Sequence, residues 1–437
     1  MFMWARVAGF LLVGYLCMTR SFAYLGFPPI SVFIGEIVLV AFLFLKPNPG
    51  LGTWVASLLR ASPLNELGLA LLVFMSYGVW QMARGVLDGS SIFYTFKFFI
   101  FNYYTLYLFL GIWVAVQAPD SLPKLIRAIA WVNGVYGLIW IVALRYAVDY
   151  HMPGSDVRLF GQPGGGPVAI LGLLCFCRNL RAVWPVLALN IIVTLAMQVR
   201  AEWLGLTLGM LVWGLLTRRL GRLVALGMTG VVVLGMIELA GIQLPGRYKG
   251  SELSLGETLG RALAPINTEL AKQFSPDAGR HASTAEWREL WWEQIWLSVH
   301  SRPMLEAFGH GYGFDLFGLA PESVRAGQED WDVRTPHSVF YYALGYTGWV
   351  GVALFAVLQF TILRVLWQAF RLGGQPAGVV FWVMGMAMAC FEESFETPYR
   401  AIPFYLLVGM TIAPALQWKG ELHAHPARAQ LLSVAGR

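Results

Sequence analysis

The sequence predicts an all-α polytopic membrane protein, with about 12 transmembrane helices and one large outer helical loop between spans 9 and 10. Three observations carry this expectation. Hydrophobic residues make up 57% of the 437-residue chain and charged residues only 13%, about half the usual quarter in soluble domains. Apolar runs near the ~20 residues that a hydrocarbon core requires recur along the chain. In the resulting alternation the short loops of one side hold lysine and arginine with almost no acid beside them, as the positive-inside rule demands. A single soluble core stops growing near ~250–300 residues and cannot hide this much apolar side chain, so a soluble enzyme and a disordered chain are excluded. Cys17, Cys175, Cys177 and Cys390 all sit inside apolar runs, which argues against a disulfide scaffold or a zinc knuckle.

The expected spans are 5–23, 29–46, 65–83, 98–117, 125–147, 165–178, 183–199, 201–217, 222–240, 338–367, 375–391 and 401–417. The sixth is short and opens at Gly164-Gly165-Gly166-Pro167, which suits a tilted segment or one merged with its neighbour. The first also resembles a signal peptide, with Arg6 before a short apolar core and Ser21-Phe22-Ala23 as a cleavage-like end. With a cytoplasmic N-terminus, short inner loops hold basic residues such as Arg6, Lys124, Arg127, Arg218, Arg219 and Arg371, and almost no acid. The net charge of +6 is then a signature of topology and not a nucleic-acid footprint. Four regions follow: a membrane part of about nine spans over 1–240, an outer loop over 241–337, about three spans over 338–418, and a cytoplasmic tail over 419–437.

The outer loop is composed differently, with nine basic and thirteen acidic residues. Leu255, Leu259, Leu263, Ile266, Leu270 and Phe274 recur at helical spacing, with Pro265 as a kink or restart. A second run from Ala282 to His300 aligns Trp287, Trp291 and Ile295 beside Trp292, Trp296 and Val299, an apolar face suited to the headgroup layer. Gly309-His310-Gly311-Tyr312-Gly313 lacks the Lys-Ser or Lys-Thr of a P-loop and reads as a turn that lets backbone approach a neighbour. Asp330-Trp331-Asp332 offers two carboxylates but reads as a solvated loop. No metal and no cofactor is expected.

Candidate functional residues are those whose placement costs free energy. Arg200 stands at the outer junction of two apolar runs, where it either snorkels or lines a wet cavity; Glu202 is the obvious alternative partner. Arg288 lies on the polar side of the Trp-rich helix. His337 is the last loop residue before the tenth span, after Pro336, and a neutral imidazole there can accept a proton. A capping or interfacial histidine is the competing reading.

The string from His337-Ser338-Val339 to Gly345, Gly348 and Gly351 resembles the signature of the O-antigen ligase superfamily: His, then Asn or Ser, then an apolar run with spaced glycines. Arg158-Leu159-Phe160-Gly161, Arg200-Ala201-Glu202-Trp203-Leu204-Gly205, and Arg288 with Trp291, Pro303, Gly309 and Gly311 resemble further family segments, in the same order. Ser338 and Val199 depart from the residues common there, and Arg280 competes with Arg288 for the loop arginine.

The resemblance implies an inverting, metal-independent glycosyltransferase in the bacterial inner membrane with its active site facing the periplasm. Such an enzyme moves a glycan from a polyprenyl (undecaprenyl) diphosphate carrier to a lipid A-core acceptor. It casts His337 as general base and Arg200 and Arg288 as diphosphate ligands, with Arg158 and Arg84 as further substrate ligands or ordinary loop charges. Lys97 and the Glu392-Glu393-Ser394-Phe395-Glu396 cluster with Arg400 either extend the cavity or are ordinary loop charges. A polysaccharide polymerase of the same superfamily is the nearest alternative. A lipid-linked glycan flippase is the rival from another class, opposed by the lack of an inverted repeat.

Overall fold

The computed structural model describes residues 3–27, 32–44, 64–153, 155–239, 244–245, 252–264, 267–275, 278–326 and 335–424. It is 78% helical, as an apolar chain must be when no water is available to satisfy its backbone. Two antiparallel ladders, two residues long on each side, pair Gly26–Phe27 with Val32–Phe33 and Leu244–Pro245 with Glu252–Leu253. The expected tail and Asp330-Trp331-Asp332 lie wholly or mostly outside the described residues.

A helix occupies each of the twelve expected stretches. In chain order they are α1 (Met3–Ala23), α2 (Ile34–Phe44), α3 (Leu64–Leu87), α4 (Ile92–Gln117), α5 (Ser121–Val142), α6 (Gly166–Phe176), α7 (Leu180–Met197), α8 (Arg200–Thr217) and α9 (Leu220–Leu239). The segment between α9 and the next long helix, expected on the outer side, adds α10 (Leu255–Leu263), α11 (Thr268–Lys272), α12 (Ala278–Val299), α13 (Pro303–Phe308) and α14 (Glu322–Ala326). The chain closes with α15 (Val339–Gly373), α16 (Ala377–Ala389) and α17 (Pro398–Ala424). By length and apolarity among the described residues, five qualify as membrane-crossing helices: Asn65–Leu87 of α3, α4, α5, α7 and α15. The helices α2, α6 and α16 are apolar but shorter; the 11 residues of α6 reach only ~16 Å at 1.5 Å per residue, about half of a hydrocarbon core.

The shortness of α6 has a visible cause. Its entry is pinned by Gly164 N–H donating to Leu16 O (2.9 Å) and Gly165 N–H donating to Asn133 Oδ1 (3.1 Å). Asn133 in turn donates to Asn190 Oδ1 at 2.9 Å. The half-helix is thus fixed by polar bonds to α1, α5 and α7, which in an apolar interior replace the water that backbone groups would otherwise need.

The longest helix, α15, is broken at Gly348 (φ 63°, ψ −170°). The carbonyls freed by the break are taken by the outer segment and α3: His310 N–H donates to Gly345 O (2.9 Å), Gly311 N–H to Tyr346 O (2.9 Å), and the Tyr77 hydroxyl to Thr347 O (2.6 Å). A side chain on Gly309 would meet Gly348 N at 2.6 Å, and one on Gly348 would meet Ala307 C at 2.5 Å. Two backbones therefore touch where no Cβ fits, as the glycine string predicts. At the other end of the antiparallel α3–α15 pair, Arg364 grips Glu66 with both nitrogens, at 2.6 and 3.1 Å.

Replacing Gly348 with Ala combines a disfavoured φ with a backbone collision. We expect a loss of about 1–3 kcal/mol, read as a lowered midpoint of thermal unfolding in detergent, with Gly373→Ala, which meets nothing within 4 Å, as the control.

Candidate active site at one end of the helix bundle

His337 precedes the N-cap residue Ser338 and takes a left-handed backbone (φ 54°), a conformation to which histidine is better suited than branched residues. Trp292 of α12 holds the preceding turn by donating its indole N–H to Pro336 O at 2.6 Å. The imidazole, 17% exposed, lies edge-on to the Trp287 ring at 5.7 Å, and its Nε2 is 3.5 Å from Glu393 Oε1. Its Nδ1 is buried with no hydrogen-bond partner among the described residues, an uncommon state for a buried polar atom.

Glu393 lies in the short turn between α16 and α17. Its Oε2 accepts the Tyr399 hydroxyl at 2.7 Å, and Arg20, in the last turn of α1, acts on it electrostatically. Burial pushes its carboxyl up, but His337, Tyr399 and Arg20 outweigh burial and hold it below the ordinary carboxylate value. Glu396 is the opposite case: burial pushes it up to about 8, so this carboxyl is mostly neutral at pH 7.

Arg288 joins this group from α12. Its Nη1 donates to Phe391 O at 2.9 Å, and its guanidinium sits 5.5 Å from the Trp287 ring centroid. Beneath this layer Arg400, at the start of α17, meets Glu202 Oε1 at 2.6 Å and Glu392 Oε1 at 3.8 Å. Glu202, which the sequence offered as an alternative partner for Arg200, is 2% exposed and pairs with Arg400 from a remote part of the chain. Arg200 itself is half-buried as the first residue of α8.

The other expected arginines, Arg84 and Arg158, make contacts of their own. Arg84 spends its fork on backbone: Nη1 donates to Phe308 O (2.8 Å) and to Gln81 Oε1 (2.9 Å), and Nη2 donates to Gly309 O (3.2 Å). Gln81 adds a bond to Phe308 O at 2.7 Å. This clasp caps α13 and holds the glycine turn on the break in α15, so Arg84 secures the outer segment. Arg158 is exposed; its carbonyl accepts the Ser21 hydroxyl (2.6 Å) and its backbone bridges to His151.

Helix α12 is seated by the residues whose spacing marked its apolar face. Trp291, Ile295 and Val299 are fully buried, and Trp291 donates to Leu316 O at 2.8 Å. Trp296 remains 39% exposed. His310, 3.0 Å from Ser298 Oγ and stacked on Phe314, is driven down to about 4 by burial and by Arg84, and so is neutral.

The fold and this cluster define a membrane-embedded protein with a histidine–carboxylate pair and several arginines at one end of its bundle. Residues 185–356, about two fifths of the chain, match the family model described as O-antigen ligase, and this match supports the resemblance to the O-antigen ligase superfamily. The matched stretch contains Arg200, Arg288 and His337 and leaves out Glu393 and Arg400. No curated protein matches the chain.

Burial, the largest influence, lowers the His337 pKa from its ordinary 6.5; Glu393 and Glu392 oppose that shift and Arg288 reinforces it. The imidazole is therefore neutral at pH 7 and gains its proton only below the ordinary range. Glu393→Gln removes a charge that favours imidazolium and should move the midpoint lower; Arg288→Gln removes one that opposes it and should move the midpoint higher. Nitrogen NMR of histidine-labelled protein in nanodiscs reads both, and an upward move in Glu393→Gln would refute the pairing.

Proposed function

We propose that the chain is an O-antigen ligase-type glycosyltransferase of the bacterial inner membrane, working at its periplasmic face. It transfers a glycan from a polyprenyl diphosphate carrier to a lipid A-core acceptor by single displacement with inversion. The observation that carries this reading is the neutral, carboxylate-backed His337 standing beside Arg288, within a chain whose residues 185–356 match O-antigen ligases. The reading includes the twelve-crossing topology, the periplasmic placement of α10–α14, and the division of the chain at 240, 337 and 418.

In this reading the acceptor hydroxyl attacks the anomeric carbon of the first sugar of the donor. The carbon–oxygen bond to the diphosphate breaks as the new glycosidic bond forms. The hydroxyl proton passes to His337, whose unsatisfied ring nitrogen is the group in need of a partner. Glu393 stabilises the imidazolium that results and holds the ring in place, as the carboxylate does in other base dyads. The leaving diphosphate needs fixed positive charge and no further chemistry; Arg288 and Arg200 supply it, a planar fork suiting phosphate oxygens better than an ammonium does. Arg84 contributes by holding the turn after Phe308 on α3.

The test is transfer by purified protein in nanodiscs, given a polyprenyl diphosphate glycan and either lipid A-core or a second lipid-linked repeat unit. Transfer to lipid A-core is expected, and growth only of the lipid-linked chain would instead identify a polymerase. His337→Ala should lose about 10²–10⁴ of the rate, and Arg288→Lys should also be impaired because the fork is lost. Ordinary transfer by His337→Ala would eliminate the base role.

A further inference from the structure

The apolar ridge of α12 runs out of the protein's interior and into the site. Trp287, Trp291, Ile295 and Val299 follow one another at four-residue spacing and so share one face of the helix. Trp291, Ile295 and Val299 are fully buried, whereas Trp287, the first of the row, is only half-buried. At that residue the ridge meets His337. Its period alone treats Trp287 as one more ring suited to the headgroup layer; its neighbours give it a different place.

Three groups surround this indole. The His337 ring stands perpendicular to it, at 83° with 5.7 Å between centroids. The Arg288 guanidinium lies 5.5 Å from its centroid, and Nη1 of that arginine is anchored on Phe391 O at 2.9 Å. Trp291 is stacked on it at 6.2 Å and 24°, and is itself held by its N–H on Leu316 O at 2.8 Å. The indole therefore rests on a fixed ring and stands against both the base and the cation assigned above.

The imidazole needs such support. In a base dyad the ring is oriented by a hydrogen bond on the nitrogen that does not take the proton. Here the contact from Nε2 to Glu393 Oε1 is 3.5 Å long, beyond the about 2.7–3.2 Å of a good N–H···O bond, and Nδ1 has no partner among the described residues. Trp292 secures Pro336 O, on the backbone before the ring, and does not restrain the ring's own torsion. The indole does. It also supplies more than bulk: a cation within about 6 Å of an indole centroid is attracted by the ring quadrupole. Arg288 meets that distance, and His337 meets it whenever it carries a proton.

We propose that Trp287 is a positioning residue of the site, its indole fixing the His337 ring relative to Arg288 so that base and cation keep one spacing while the proton moves. The catalytic consequence rests on the function proposed above; the hold of Trp287 on His337 does not. A displacement of about 1 Å at a reacting centre lowers the rate on the order of 10², which sets the size of the effect.

The test uses the full chain in nanodiscs with Trp287→Ala and Trp287→Phe, the unfolding midpoint of each showing whether it is folded; Trp287→Leu carries the same expectations should Trp287→Ala not fold. In the transfer assay Trp287→Ala should lower kcat about 10- to 100-fold with KM changed about threefold or less, and Trp287→Phe, which restores a ring, should recover most of the loss. Adding Trp287→Ala to His337→Ala should lower the rate no further, because residues acting as one unit are not additive. A full second loss in the double variant would overturn the proposal, since Trp287 would then act independently of the base. Nitrogen NMR of His337 needs no turnover. The charges facing the imidazole are Glu393 and Glu392 of the α16–α17 turn and Arg288 of α12, and Trp287→Ala removes none of them. It removes burial, the largest influence lowering the His337 pKa, so the midpoint should rise toward the ordinary 6.5 in Trp287→Ala and stay near wild type in Trp287→Phe. An unmoved midpoint in folded Trp287→Ala would refute the contact and the proposal with it. Should the midpoint move as expected while the wild-type chain transfers no glycan, the enzyme assignment falls and the hold on His337 stands.

Discussion

The site depends on a contact between two backbones. Gly309 of the outer segment lies against Gly348 of α15 with no room for a Cβ on either side, and α15 opens there to receive it. Breaking a helix inside a bilayer is costly because the freed carbonyls have no water to turn to. Here they accept from His310, Gly311 and Tyr77. Arg84 and Gln81 hold the same junction from α3. The outer segment is thereby stitched into a membrane helix, and α12, packed above it through Trp291 and Ile295, has a fixed position over His337.

On that frame charges of both signs are gathered at one end of the bundle from remote parts of the chain: Arg20 ends α1, Glu202 begins α8, Arg288 comes from α12, and Glu392, Glu393 and Arg400 come from the α16–α17 turn. The buried carboxylates Glu202 and Glu393 are tolerable because Arg400 and His337 stand against them. The balance is also chemically useful. Glu393 is held below the ordinary carboxylate range while burial pushes Glu396, three residues on, up to about 8, so the turn bears less negative charge than its sequence suggests.

Much of this was legible in the residues. Runs of apolar side chains gave helices at every expected place, since a chain this poor in charge has few other ways to satisfy its backbone. The apolar face of α12 was readable from its period, and the glycine string from the absence of the groups a phosphate loop needs. Arg84 and Glu202 were harder. Both are charges beside apolar runs, and nothing in the local string tells whether a guanidinium faces a phosphate, a carboxylate or the carbonyls of a helix end.

The sequence by itself determined the solvent of this protein, the helical class and the residues of its family motif, because hydropathy and spacing act over one or two turns of chain. Tertiary structure alone decided which charges meet. Glu393 is 56 positions from His337 and Arg400 is 198 from Glu202, and only the packing of α1, α8, α12, α15 and α17 brings them within bonding distance. A buried carboxylate takes its role from the group opposite it, and that group is chosen by the fold.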